Sequence, residues 1–536
     1  MSKDSVLGRL LDYYQYTAAL AAACLARQTR PVSSSGGAWA VPVSAPDLTD
    51  YSDAIEWARA ERANLFACLE HVTAAGQNAR IIGLTACLVD VLQQDGPWTD
   101  AIARHNIAAR AAQELGDRLS QANALYDLGM ARRMTGEYPD AATAHQEAMA
   151  IYRDLGNRLG EANALSQLGV ISQLTDDYSG ATAALDAALV VYRDLGDRLG
   201  RAHALSQLGT VQLMTGDSAS AAATQQQALA IYRELGHLIG QANALGELGV
   251  VRLVTDDYLG AIAFHEEALA IYRRLDYRAG EVTSLSDLGI VRRMTGDYTG
   301  AVAALQDALA LSGDLGSRRG QADALLDLGT VWRMTGDCPR ATEALQQALA
   351  ICRDLGDRSG QAYAINELGI IHRITGDYTA AATAHSEALT LYRDLSQRIG
   401  EASAINEIGT VRRMTGDYPG AAVAHEEALA AFRDLGHRAG EIVALNELGH
   451  LHRARGLLDQ AHANHEQALV LAREIGSLLD EARAMAGLGH CASVSGQAAE
   501  AEALLRRAQE LFQRIGAAEA QDTSVDLDSP TCPRSA

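Results

Sequence analysis

The chain has 536 residues, 48% of them hydrophobic and only 5% aromatic, so it has ample apolar mass to bury and is not a disordered segment in bulk. A formal net charge of −22, from 67 acidic and 45 basic residues, opposes non-specific binding to DNA or to anionic membranes. Lys3 is the single lysine, which excludes a phosphate loop of the G-x-x-x-x-G-K-[ST] type, since that loop needs an internal lysine.

Residues 1–80 do not repeat. The stretch "VLGRLLDYYQYTAALAAACLA" predicts an amphipathic helix, and its apolar run 16–26 is too short to span a bilayer. Residues 31–47, with "SSSGG" and three prolines, predict a loop. "YSDAIEWARAERANLFACLEHVTAAG" predicts one further helix, with Asp50 or Ser52 as its cap. Seven cysteines lie scattered without paired metal-ligand spacing, and an odd number of them without a signal peptide predicts a reducing cytoplasm.

From Gln121 onwards the chain repeats. The phrase "QANALYDLGMARRMTGEYPDAATAHQEAMAIYRDLG" returns, altered, at Glu161, Arg201, Gln241, Glu281, Gln321, Gln361, Glu401, Glu441 and Glu481. The spacing of 40 never slips, and fixed periods of this length mark solenoids. Ten units therefore span 121–520, a weaker one with Trp98 spans 81–120, and residues 521–536 predict a disordered tail. The last unit replaces the repeated turn and places Arg506, Arg507, Gln509 and Glu510 on its outer helix, as a terminal cap requires.

Each unit predicts two helices. In the unit starting at Glu161, Ala164, Leu165, Leu168 and Ile171 form a stripe at helical spacing over about 159–174. The turn "TGDY" or "TDDY" follows, with Gly or Asp at the left-handed position and Asp placed to cap the next helix. Pro139, Pro339 and Pro419 fall in the second helix's first turn, where proline costs little. A glycine recurs mid-helix in every unit (Gly129, Gly169, Gly289 and their equivalents) at about 1 kcal/mol each against alanine, which predicts a close helix contact there.

The spacing of Leu168–Gly169, Tyr178, Ala181 and Ala188 resembles the tetratricopeptide consensus over about 440 residues. The length of the repeat, with its "GDR" linkers, resembles the long variant of Pins-type scaffolds and bacterial signalling regulators. That resemblance implies an all-α fold: a right-handed superhelical solenoid of antiparallel helix pairs. "LLDYY", "EWARAERANL" and the Trp98 unit resemble the tetratricopeptide sensor region of actinobacterial antibiotic-regulatory, NB-ARC-type signal-transduction ATPases.

In such arrays, positions 3, 6, 10 and 13 of the first helix line a concave groove that receives peptides or helices. Here those positions supply Asn123, Tyr126, Arg133, Asn163, Asn243, Arg293, Arg333, Asn366, Arg373, Asn406, Arg413, Asn446 and Arg453, the expected partner-binding residues. The arginines admit two readings: bidentate capture of partner carboxylates, or pairing with Asp287, Asp327, Glu367, Glu407 and Glu447 in a mixed-charge wall. Histidine alternates with leucine on the second helix (His105, His145, His265, His385, His425, His465 against Leu185, Leu305, Leu345), which predicts packing rather than metal binding. The denser group His450, His452, His462, His465 and His490 lacks a completing ligand set.

No hydrolase elbow, zinc-protease helix or dinucleotide turn occurs, so no enzyme, cofactor or metal is expected. The expected role is a cytoplasmic scaffold or sensor for a protein or peptide, without direct nucleic-acid or membrane binding. The alternative is the detached sensor half of a signalling ATPase or transcriptional regulator whose nucleotide switch lies on another chain.

Overall fold

The computed structural model describes residues 3–25, 31, 42, 44–89, 92, 98–175, 177–255, 257–521 and 523, and every regular element among them is an α-helix. Each repeat unit gives two helices of 17 or 18 residues, such as Arg158–Leu174 and Tyr178–Leu195. The pattern continues to Leu478–Val494 and Ala498–Ile515.

The turns work as local chemistry requires. Asp177 Oδ1 accepts the Gly180 amide at 2.9 Å, and Asp197 Oδ1 accepts that of Gly200 at 3.1 Å, so each caps an N-terminus left without partners. Pro139, Pro339 and Pro419 sit in the first turn of their helices. Asp176 and Asp256 of the "TDDY" turns lie outside the described residues.

The second helix of most units ends on a left-handed glycine, as at Gly196 with φ 68°. Ser396 occupies that position at φ 54°, where its Cβ crowds the following carbonyl. Ser396→Gly is therefore expected to stabilise the chain by about 1 kcal/mol, read as a higher thermal midpoint. A lower midpoint would show that the serine side chain contributes more than its backbone costs.

The mid-helix glycines mark close contacts. A Cβ at Gly129 would lie 2.6 Å from the His145 ring, and one at Gly169 would lie 2.9 Å from Leu185 Cγ. The facing alanines Ala141, Ala181 and Ala221 are fully buried. Small residues on both sides let the two helices of a unit approach until the intervening His or Leu fills the gap.

Helix α1 spans Lys3–Leu25, and the helix expected over 51–76 divides at Glu61 into α2 (Tyr51–Ala60) and α3 (Arg62–Ala74). Glu61 accepts hydrogen bonds from the Tyr14 hydroxyl at 2.8 Å and the Asn64 amide at 2.7 Å, which hold the chain where it bends. Asp50 is the cap of α2, accepting from the Asp53 amide. Most of the loop expected at 31–47, and residues 524–536 of the tail, lie outside the described residues.

The chain divides into two compact units: Met1–Val251 with Ala270–Tyr277, and Arg252–Leu269 with Arg278–Ala536. In the first unit, Leu11, Tyr14 and Ala18 of α1 share one core with Leu65, Leu69, Ile81, Leu84 and Ala108, so the non-repeating segment covers the array's first helices. The second unit holds a core running through Ala402, Ile405, Leu445, Leu448, Leu488 and Phe512. Among the described residues no helix is long and apolar enough to cross a membrane.

Candidate functional site on the first helices

In the first compact unit the site is built on asparagines held by tyrosines. The Tyr152 hydroxyl donates to Asn123 Oδ1 at 2.7 Å, Tyr192 to Asn163 at 2.8 Å and Tyr272 to Asn243 at 2.6 Å. Each tyrosine comes from the second helix of the same unit and fixes the carboxamide so that its NH₂ points away from the hydroxyl. At Asn123 this group already has an acceptor: Nδ2 donates to the main-chain carbonyl of Pro31 at 3.1 Å. Tyr126 is buried edge-on against His145, with ring centroids 5.2 Å apart. In the register where later units carry an acid, the residue 34 positions after Arg133 is Gln167; Arg133 Nε and Gln167 Oε1 are both buried without hydrogen-bond partners, and burial pulls the guanidinium below the usual arginine range.

In the second compact unit the asparagines turn inward. Asn366, Asn406 and Asn446 are buried and accept at Oδ1 from Nδ1 of His385, His425 and His465 at 2.8, 2.7 and 3.0 Å. An asparagine oxygen can only accept, so these imidazoles carry their proton on Nδ1. The carboxamides therefore hold the second helix in place. Sequence reasoning named the asparagines and missed the histidines and tyrosines that orient them. The available signal was co-occurrence within a repeat. His stands 19 residues after Asn366, Asn406 and Asn446. Tyr stands 29 residues after Asn123, Asn163 and Asn243.

The arginines form a ladder. Arg333 pairs with Glu367 at 2.7 Å, Arg373 with Glu407 at 3.1 Å and Arg413 with Glu447 at 3.0 Å, every rung joining one unit to the next. Side-chain exposures of 9–22% separate these rungs from outer pairs such as Arg158–Asp194, where both partners are about half exposed. Exposed pairs contribute roughly 0–1 kcal/mol, whereas removing one partner of a buried pair costs about 3–5 kcal/mol. Burial would raise the Glu447 carboxyl, but Arg413, His450 and His425 outweigh it and hold it well below the carboxylate range. Asp327, one carbon shorter, makes no ion pair with Arg293 among the described residues, and burial pushes its carboxyl up to about 6. Arg453 closes the series opposite Gly487, with no acid to meet.

The five C-terminal histidines do not converge as one set. His452 bonds Asn464 at 2.9 Å and His462 is exposed beside Glu466, while His450 and His465 stack edge-to-face at 5.0 Å. Among the described residues no three His, Cys, Asp or Glu side chains gather as metal ligands. Cys352 stands where sister units carry Tyr152 or Tyr192; it is fully buried, and burial pushes its thiol up to about 11.

A model of the tetratricopeptide repeat matches residues 81–154, 160–234, 240–314, 360–434 and 436–514, and a second model of the same repeat matches 321–355. This chain belongs to the tetratricopeptide repeat family. No curated protein matches the sequence. Similar solved structures include the apo form of the quorum sensor NprR from B. thuringiensis, at 13% identity and TM-score 0.49 over 64% of this chain and 99% of that one. A Rap protein complexed with competence and sporulation factor is similar at 13% identity and TM-score 0.48, over 65% and 96%. So is a signal transduction ATPase with numerous domains from Pyrococcus horikoshii, which carries a tetratricopeptide repeat sensor, at 15% and 0.46 over 65% and 53%. The tetratricopeptide helices thus carry two kinds of polar face: oriented amides in the first compact unit and an ion-pair ladder in the second.

Proposed function

We propose that this tetratricopeptide chain is a cytoplasmic scaffold or sensor that holds a protein or peptide against its first helices and catalyses no reaction. The observation that carries this reading is Asn123: its oxygen is fixed by Tyr152 and its NH₂ holds the main-chain carbonyl of Pro31. A side chain prepared in this way recognises polypeptide backbone whatever the sequence. At Asn243 and at the buried Asn163 the oxygen is fixed in the same way, by Tyr272 and Tyr192. The groups that carry chemistry elsewhere support the same conclusion, because the buried His145, His385, His425 and His465 face mid-helix glycines and Glu367, Glu407 and Glu447 complete ladder rungs. Net charge of −22 favours a protein partner over nucleic acid or anionic lipid. Six free cysteines among the described residues fit a reducing compartment.

A random-peptide display library panned on the full chain tests the proposal. Recovered peptides are expected to bind N163A/N243A at least tenfold more weakly, measured well below the lower thermal midpoint that the orphaned Tyr192 and Tyr272 hydroxyls give the variant. Recovery of no peptide, or equal binding by the variant, would refute it.

A further inference from the structure

A cleft of about 280 Å³ opens in the first compact unit between α3, the helix Asn78–Cys87 and the helix Trp98–Leu115. It lies where the non-repeating segment meets the weak first repeat. Leu69, Ala74, Ile81 and Ile107 line it, and Ile107 is left 39% exposed to water. The volume is close to the roughly 300 Å³ at which small-molecule sites begin, and too small for a helix about 10 Å across.

The polar groups of the cleft divide into satisfied and orphaned. The Thr73 hydroxyl donates to the Leu69 carbonyl at 2.7 Å, and the Glu70 side chain is exposed to water. Thr85, by contrast, is buried, and its hydroxyl has no hydrogen-bond partner. The Arg104 guanidinium lies over the Phe66 ring at 4.3 Å, with its Nε buried and without an acceptor. Among the described residues no carboxylate pairs with Arg104, although Glu70 lines the same cleft. Arg62 approaches the same ring at 5.4 Å and adds positive charge at this end. A half-buried charge without a counter-ion is costly, so Arg104, and not the solvated Glu70, is the group that a ligand relieves. One turn along the same two helices from Arg104 and Glu70 stand Ile107 and Ala74, so the charged end gives way to an apolar one.

We propose that this cleft binds a small aliphatic carboxylate, whose head group meets Arg104 beside the Thr85 hydroxyl and whose chain lies along Leu69, Ile81 and Ile107. Each methylene moved from water onto these walls adds affinity. Charge-assisted hydrogen bonds to the planar guanidinium fix which way the chain lies. The site uses helices other than those that carry Asn123, Asn163 and Asn243, so it stands whether or not that face holds a polypeptide.

Isothermal titration of the full chain with octanoate tests this, beside octanamide and octylammonium, which keep the chain and change the head. Octanoate is expected to bind at one site, and the other two roughly tenfold more weakly or worse. R104Q should bring octanoate down to the affinity of octanamide and leave octanamide itself unchanged, a split that a merely structural role for Arg104 would not give. I107D, at an exposed position, should weaken octanoate and octanamide together without lowering the thermal midpoint. A preference for octylammonium would assign the charged end to Glu70 and overturn the proposal. Equal affinity for octanoate and octanamide, binding of neither, or octanoate binding that survives both R104Q and I107D would overturn it as well.

Discussion

Gly289→Leu is expected to destabilise the chain by about 3 kcal/mol, the upper end of what overpacking a tight contact costs. An alanine there already sets its Cβ 2.5 Å from Leu305 Cγ and 2.7 Å from Cδ2, and Leu305 is fully buried with nowhere to retreat. A leucine must push the two helices of the unit apart. Since solenoid stability is nearest-neighbour, hydrogen exchange should quicken most in the units bracketing 281–320 and near Ile515, which packs on Gly296, and little in α1. Leu305→Ala in the same chain should return part of the loss, with a coupling of about 1 kcal/mol or more, because the two side chains then share one space. A single variant that melts like the parent would show that the helices are not in contact at Gly289.

The second large effect is on acid stability. His145 and His265 are fully buried, and burial holds their imidazoles down to about 3 and about 4, against an ordinary 6.5. An unfolded chain takes up these protons as pH falls through about 6.5, whereas the folded chain does not until near pH 4 or below. Stability is therefore unaffected above pH 7 and declines between about 6.5 and 4, by up to about 1.4 kcal/mol per pH unit for each histidine. At pH 5 each should have removed about 2 kcal/mol. Leucine occupies the same position, fully buried, at Leu185, Leu305 and Leu345. H145L/H265L is accordingly expected to fold at pH 7 and to keep roughly 4 kcal/mol more of its stability at pH 5 than the parent. Urea midpoints at the two pH values measure this, and an identical pH dependence in variant and parent would rule it out.

The same histidines show how far the sequence could be read. Alternation of His with Leu at one repeat position predicts packing, and the structure places His145 and Leu185 alike against mid-helix glycines. The arginines were legible only as candidates. Arg373 and Glu407 lie on different helices of successive units, so choosing between a partner's carboxylate and the neighbouring unit's needed the distance between helices. Glu61 divides a helix that periodicity reads as continuous, because the Tyr14 hydroxyl that holds it comes from a segment 47 residues away.

What the sequence determined by itself is the element and its multiplication: a capped helix pair with glycine and alanine at its contact, repeated at a fixed period without a slip. These follow from local propensity, turn chemistry and the size of single side chains, all written within one unit. Only the tertiary structure decided what residues 515–519, at the end of the array, meet. The Ala518 amide donates to the Met334 carbonyl at 3.0 Å, Ile515 lies over Gly296, and Arg483 is clamped to Glu519 at 2.5 Å. Residues so far apart in the chain come together through the stacking of every unit between them. That stacking is a sum of small rotations at successive interfaces, and no single repeat encodes the sum.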